Sequence, residues 1–264
     1  MTRDHSELLR LGNYAHDSYL CALPYPHICL DNFLDARLVA GVAAEFPELG
    51  GANDIRFNDP NQSKLASRGE HRFGPVTREL VHYLNSQPFL EYLSALTGIK
   101  GLLPDPYFSG GGLHEIRRGG FLKIHADFNR HPDLQLDRRI NLLLYLNENW
   151  KESYGGHLEL WDPEMRSCVK RFLPVFNRMV IFNTTDLSYH GHPDPLACPE
   201  DRSRRSLALY YYTIGEGQAD NRINTKFMPR AGDSVKMRNF NRIKDFVTNV
   251  TPPFILRLLY KRMK

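Results

Sequence analysis

His125 and Asp127 stand two residues apart in the strand-like run GGFLKIHADF, so period-two geometry puts both side chains on one face. An imidazole and a carboxylate at that spacing can share one metal ion. A further imidazole comes from SYHGHP, just beyond the apolar run RMVIFN, where His190 and His192 lie on one strand face and compete for the role. Two histidines and one carboxylate leave three adjacent coordination positions open, the donor set that suits iron(II), a chelating cosubstrate and dioxygen. A His-x-Asp by itself is a weak signal in a chain with 11 histidines, so the surrounding sequence has to carry the assignment. His131 and His157 are weaker rivals. His114, on the strand before the pair, reads as a hydrogen-bonded structural histidine that could also face the same cavity.

The run RSRRSLALYYYT supplies a second half to that chemistry. A dicarboxylate held at a metal needs a cation at its far end, and arginine presents a planar, bidentate fork for the purpose. Alternation puts Arg204, Ser206, Ala208, Tyr210 and Tyr212 on one face, and Arg205, Leu207, Leu209 and Tyr211 on the other. The first set reads as a site lining and the second as a packing face, which makes Arg204 the anchor and Arg205 the fallback. Tyr145, in LLLYLN, offers a phenolic hydrogen bond to the same carboxylate, or serves as a core aromatic.

These residues need a β scaffold. From about residue 105 the chain runs in short β-rich stretches separated by Gly, Pro, Asn and Asp: GGFLKIHADF, RINLLLYLN, GGHLELWD, RFLPVF, RMVIFN and RSLALYYYT. That series predicts a sandwich or barrel of antiparallel strands. The first hundred residues mix strands with helical patterns. Asp35 is the expected N-cap of ARLVAGVAAEF, and VTRELVHYLNSQPFLEYLSALTG reads as a helical stretch ending on glycine. Between them GGANDIRFNDPNQSKLASRGEHRFG, rich in turn formers and charge, reads as a long loop, either a lid or disordered surface. The division expected is a supporting segment over 1–104, a catalytic core over 105–215 and a basic, partly amphipathic tail over 216–264.

At 264 residues, with 42% apolar and 24% charged side chains, the chain has the composition of an ordinary globular protein with a sizeable core. No apolar run reaches the roughly 18 residues of a membrane span, and the start, MTRDHSELLRLGNYAHD, lacks an apolar leader, so a cytoplasmic location is expected. Cys21, Cys29, Cys168 and Cys198 are too scattered for a zinc or redox motif and read as reduced thiols. Residues 236–264 hold eight Lys/Arg against one acid, so they contribute +7 to a net charge of +4 and leave −3 elsewhere. On a helix Ile255, Leu258 and Leu259 would form an apolar stripe beside Arg257, Lys261 and Arg262, a pattern suited to peripheral contact with an anionic membrane or to docking on the domain.

The order His-x-Asp, distant His, later Arg resembles the prolyl-4-hydroxylase-like branch of the 2-oxoglutarate and iron(II)-dependent oxygenases. Arg204-x-Ser206 is similar to the cosubstrate-binding Arg-x-Ser of that superfamily. YLN followed by Trp150 and a Gly pair resembles its barrel strands, and PHICLDNFLD its opening segment. The likeness runs over most of residues 24–215. Two stretches depart from the pattern: LHEIRRGG stands where many relatives carry a tyrosine near the metal, and the segment from His190 to Arg204 is longer, containing PDPLACPEDRS. The resemblance implies a double-stranded β-helix (jelly roll), mainly β with flanking helices. It implies iron held by His125, Asp127 and His190, with His192 beside the ligands or at the surface, and 2-oxoglutarate held by Arg204, Ser206 and Tyr145. It implies hydroxylation of an unactivated carbon with dioxygen, 2-oxoglutarate leaving as succinate and carbon dioxide, and ascorbate as reductant for uncoupled iron.

A prolyl residue in a peptide is the substrate the resemblance favours; the tail raises a lipid-linked or glycan substrate at a membrane surface as the alternative. A jelly roll retained only as a binding module is disfavoured by the complete ligand set. A nucleic-acid demethylase is disfavoured because the positive charge is confined to the tail.

Overall fold

Alternation along two central strands sets the architecture. In RINLLLY and RRSLALYYY every second residue is a large apolar group, and those groups turn toward a layer of helices while the residues between them turn inward. The computed structural model describes residues 3–215 and 222–250. Its helices are α1 (His5–Leu20), α2 (Ala36–Ala44), α3 (Pro75–Leu84), α4 (Gln87–Thr97) and α5 (Val235–Val250). Its strands begin with β1 (His27–Asp31), β2 (Ile55–Asp59), β3 (Gln62–Ala66), β4 (Leu103–Pro104), β5 (Gly112–Arg117), β6 (Phe121–Ala126) and β7 (Asp137–Tyr145). They continue with β8 (Leu158–Trp161), β9 (Cys168–Phe172), β10 (Arg178–Asn183), β11 (His190–His192), β12 (Ser203–Thr213) and β13 (Lys226–Phe227).

The strands join antiparallel in the order β1-β10-β7-β12-β5-β3-β6-β11-β8-β9. This is a nearly closed, barrel-like jelly roll with few helices outside it, the architecture expected. Leu142, Leu144, Leu207, Leu209 and Tyr211 face outward and form one core with Leu80, Val81, Leu84, Phe89 and Leu93 of α3 and α4. Each such side chain, fully buried, contributes roughly 1.5–3 kcal/mol. The helical layer therefore holds the site-bearing strands in register rather than supplying chemistry.

Local sequence explains most of the supporting elements. Asp35 caps α2 as expected, accepting from the N–H groups of Arg37 and Leu38. The stretch read as one helical pattern is two helices, because Pro88 opens α4 and the chain turns at Asn85 and Ser86. Gly98 ends α4 at φ 74°, a left-handed position that glycine adopts without strain.

Two segments differ from expectation. The stretch read as a long loop contains the hairpin β2–β3, whose second strand bridges β5 and β6 and so becomes part of the barrel wall. Turn-forming residues on both sides concealed two short strands. Residues beyond 222 also hold to the barrel: β13 pairs with β6 opposite His125, Lys123 Nζ lies 2.9 Å from Asp233, and Met237 is buried. The apolar stripe at Ile255, Leu258 and Leu259 lies outside the described residues. Among those described, no helix is long and apolar enough to cross a membrane, and the four cysteines are free.

Candidate metal and cosubstrate site

His125 and His190 are cross-strand partners in the β6–β11 pair, which sets their imidazoles side by side with ring centroids 4.4 Å apart. Asp127 follows β6 directly. Its Oδ1 lies 3.4 Å from His125 Nε2 and its Oδ2 lies 3.4 Å from His190 Nε2. Ligand atoms of all three residues fall within 4.8 Å of one another, and all three side chains are buried. Donors bound to one ion at about 2.1 Å stand roughly 3 Å apart when adjacent, so the cluster fits a metal with little adjustment.

The neighbours orient these donors. His125 Nδ1 is 2.8 Å from the Lys123 carbonyl and His190 Nδ1 is 2.9 Å from the Ser188 carbonyl, which fixes the proton on Nδ1 and leaves Nε2 to bind. Phe182 and Phe227 pack against the two rings. Asp127 Oδ2 accepts from Arg138 Nη2 at 2.9 Å and from Asn141 Nδ2 at 2.7 Å. Burial pushes the Asp127 carboxyl up, but Arg138, His190 and the hydrogen bonds outweigh it and hold the group well below the usual carboxylate range. His125 is shifted the other way, downward, by burial and by the neighbouring His190. The site thus presents an ionised carboxylate and a neutral imidazole, the forms that bind a divalent cation.

The interior face of β12 and β7 continues the cavity. It is lined by Lys64, His114, Leu143, His192, Arg204 and Ser206 beside the three clustered residues, and encloses about 70 Å³. Arg204 is buried; its Nε donates to the Gly156 carbonyl at 2.8 Å and its Nη2 to the Tyr145 hydroxyl at 3.2 Å. Burial lowers its pKa and the Tyr145 hydroxyl opposes that. Arg205 turns to the opposite face, where Nε donates to Ser203 Oγ and the guanidinium covers Phe46. Strand alternation separates the two arginines as read from the sequence.

The remaining histidines divide cleanly. His192 is buried in the cavity with both ring nitrogens unpartnered among the described residues, and burial together with Arg204 holds its pKa well below normal. His114 also faces the cavity, with Nε2 3.1 Å from the Gly110 carbonyl. His131 lies 3.4 Å from Asp105 and packs on Tyr212, while His157 pairs with Glu152 at 2.8 Å. Neither belongs to the cluster.

Sequence reasoning missed Arg138, Asn141 and Lys64. Asn141 was discoverable, because it shares the inward face of β7 with Leu143 and Tyr145, where a polar side chain needs a partner. Arg138 carried no such signal: it is fully buried, lying under Tyr210 with its guanidinium carbon 3.4 Å from the ring centroid.

Residues 111–212 match the family model described as the 2OG-Fe(II) oxygenase superfamily. A mouse protein named prolyl 3-hydroxylase OGFOD1 is 33% identical over 86 residues, which are 31% of this chain and 15% of that protein. Over that stretch the chain is similar to the 2-oxoglutarate and iron(II)-dependent oxygenases, and it spans only a small part of the length of the curated relative it matches. Among solved structures, a Pseudomonas putida prolyl-4-hydroxylase superposes with a TM-score of 0.56 at 19% identity, over 77% of this chain and 99% of that one. A Trichoplax adhaerens prolyl hydroxylase, solved with a peptide fragment of a hypoxia-inducible factor degradation domain, gives 0.52 at 18% identity over 78% and 91%. Both share the fold.

Proposed function

We propose that this chain is an iron(II)- and 2-oxoglutarate-dependent dioxygenase that hydroxylates an unactivated carbon, with a prolyl residue of a peptide as its substrate. The observation that carries the reading is the presence, in one cavity, of three clustered metal-ligating side chains and a buried arginine that has no carboxylate partner among the described residues. His125, Asp127 and His190 hold the iron; Arg204 and Tyr145 receive the far carboxylate of 2-oxoglutarate, and Ser206 adds a hydroxyl beside them. Iron(II) with the cosubstrate and dioxygen supplies the oxidising power, and 2-oxoglutarate leaves as succinate and carbon dioxide.

The chain's own residues do the rest. Arg138 and Asn141 hold Asp127 ionised and aimed, so the carboxylate needs no reorganisation when metal enters. Leu143 and Leu158 line the cavity with apolar surface and exclude water from the reacting atoms. The prolyl hydroxylases named among the relatives support the substrate class. The test is succinate release by the iron-loaded full chain over a panel of proline-containing peptides, with mass analysis for a gain of one oxygen. Release stimulated by a peptide and a hydroxylated product are expected; succinate formation that no peptide stimulates would overturn the substrate assignment.

The tail supports a cytoplasmic protein held reversibly at anionic membranes, since eight Lys/Arg against one acid accompany Ile255, Leu258 and Leu259 at helical spacing. A glycan or lipid-linked substrate would be favoured over peptide only with that attachment.

A further inference from the structure

His192 lines the cavity beside the metal cluster, is 3% exposed, and has no hydrogen-bond partner at Nδ1 or Nε2 among the described residues. It is not one of the three clustered ligands. A ring buried in this way gives up its hydration without replacing it, and an unmatched polar group that faces a cavity marks a place where a ligand completes the pairing.

Strand pairing sets where along the cavity the ring stands. β11 runs antiparallel to β8 with His190 opposite Leu160 and Gly191 opposite Glu159, so the next step brings His192 level with Leu158, another lining residue. Two residues before Leu158, the Gly156 carbonyl accepts from Arg204 Nε at 2.8 Å, and a Cβ placed on Gly156 would stand 3.0 Å from Arg204 Cδ. Leu160, Leu158 and Gly156 therefore lead from a metal ligand to the arginine. His192 occupies the middle of that path, roughly 7 Å along its strand from His190. On its other side β6 sets His192 opposite Leu122, three residues from His125, so both neighbouring strands place it away from the metal.

Resting on the oxygenase reading above, we propose that His192 donates a ring N–H to the distal 5-carboxylate of 2-oxoglutarate, as a third side chain beside Arg204 and Tyr145. An ionised carboxylate only accepts, and its two oxygens offer about four lone-pair positions. Arg204 and the Tyr145 hydroxyl reach it from β12 and β7, which leaves positions open to a donor from β11. A neutral imidazole carries one N–H, so His192 fills this role with no change of protonation.

The experiment is calorimetric titration of the manganese(II)-loaded full chain with 2-oxoglutarate and with 2-oxovalerate, which keeps the 2-oxo acid and carries a methyl group in place of the 5-carboxylate. His192→Leu replaces a buried unpartnered ring by an apolar group of similar volume, so the ligand-free variant retains its thermal stability. It is expected to weaken 2-oxoglutarate roughly 10- to 100-fold, the loss of one hydrogen bond to a charged group, with 2-oxovalerate and manganese affinities within about twofold of wild type. His192→Asn places an amide N–H near the position of Nδ1 and His192→Gln near that of Nε2, so one of the two should recover most of the lost affinity. No loss in His192→Leu, an equal loss of both acids, or an equal loss of 2-oxoglutarate in the leucine and both amide variants would overturn the assignment while leaving the oxygenase reading intact. Failure of the wild-type protein to bind 2-oxoglutarate at all would instead overturn that reading, and the assignment with it.

Discussion

Replacing Arg204 by methionine removes the guanidinium that faces the cavity and lies over the Tyr145 ring, while keeping most of the stem that packs against Gly156. In the wild type that guanidinium donates to the Gly156 carbonyl and to the Tyr145 hydroxyl, and among the described residues it pairs with no acid. Its remaining donor capacity is therefore available to a carboxylate. Truncating one partner of a buried, hydrogen-bonded charge pair costs about 2–4 kcal/mol, which corresponds to roughly a 30- to 1,000-fold loss of affinity. Arg205→Met provides the control, because that side chain lies on the far face against Ser203 and Phe46 and should change 2-oxoglutarate affinity less than about threefold. Titration of 2-oxoglutarate into manganese(II)-loaded protein reads both. Equal losses in the two variants would refute the reasoning, since it rests on alternate residues of β12 facing opposite sides.

Three further outcomes are expected. Asn141→Leu removes one of the two donors to Asp127 Oδ2 and should weaken iron(II) binding about 10- to 100-fold in competition with a chelator; unchanged affinity would show that Arg138 alone positions the carboxylate. Burial, reinforced by Lys64, pulls the His114 pKa down to about 3 from 6.5, so the folded state favours the neutral ring. Its contribution is full above about pH 6.5 and is lost as pH falls toward 3. His114→Gln should therefore reduce the slope of stability against pH in that window by up to about 1.4 kcal/mol per unit, measured by denaturant titration. Full-length protein should cosediment with anionic vesicles at low salt and dissociate as salt rises, each basic side chain contributing on the order of 1 kcal/mol, whereas a 1–250 truncation should stay in the supernatant; equal behaviour of the two would refute membrane attachment.

Much of this site was legible because strands have a period of two. His125 with Asp127, and Arg204 with Ser206, could be assigned to common faces without knowing where the strands would lie. An antiparallel sandwich or barrel followed from the series of short β runs between turn residues, and the jelly roll from the family resemblance. What pairing decides was out of reach: only the β6–β11 register brings His190 opposite His125, and alternation alone could not separate His190 from His192, which occupy the same face of β11. Lys64 was hidden for a different reason. Its hairpin is five residues a side among Gly, Asn, Asp and Ser, and local preference reads such a stretch as loop until β5 and β6 supply partners. Arg138 breaks the rule that buried positions are apolar. Its burial is compensated by Asp127, Asn141 and the Tyr210 ring, contacts that only the fold assembles. Pro88 signals the split between α3 and α4, but the apolar pattern continues across it and masks the break.

The most direct test of the account is the iron content of protein reconstituted anaerobically with iron(II) and freed of excess metal, compared across wild type and His125→Ala, Asp127→Ala, His190→Ala and His192→Ala variants of verified fold. The three clustered residues supply every protein ligand in this account, and His192 supplies none. Wild type and His192→Ala are predicted to retain one iron per chain, and the other three to retain essentially none. Iron retained by His190→Ala and lost from His192→Ala would contradict it.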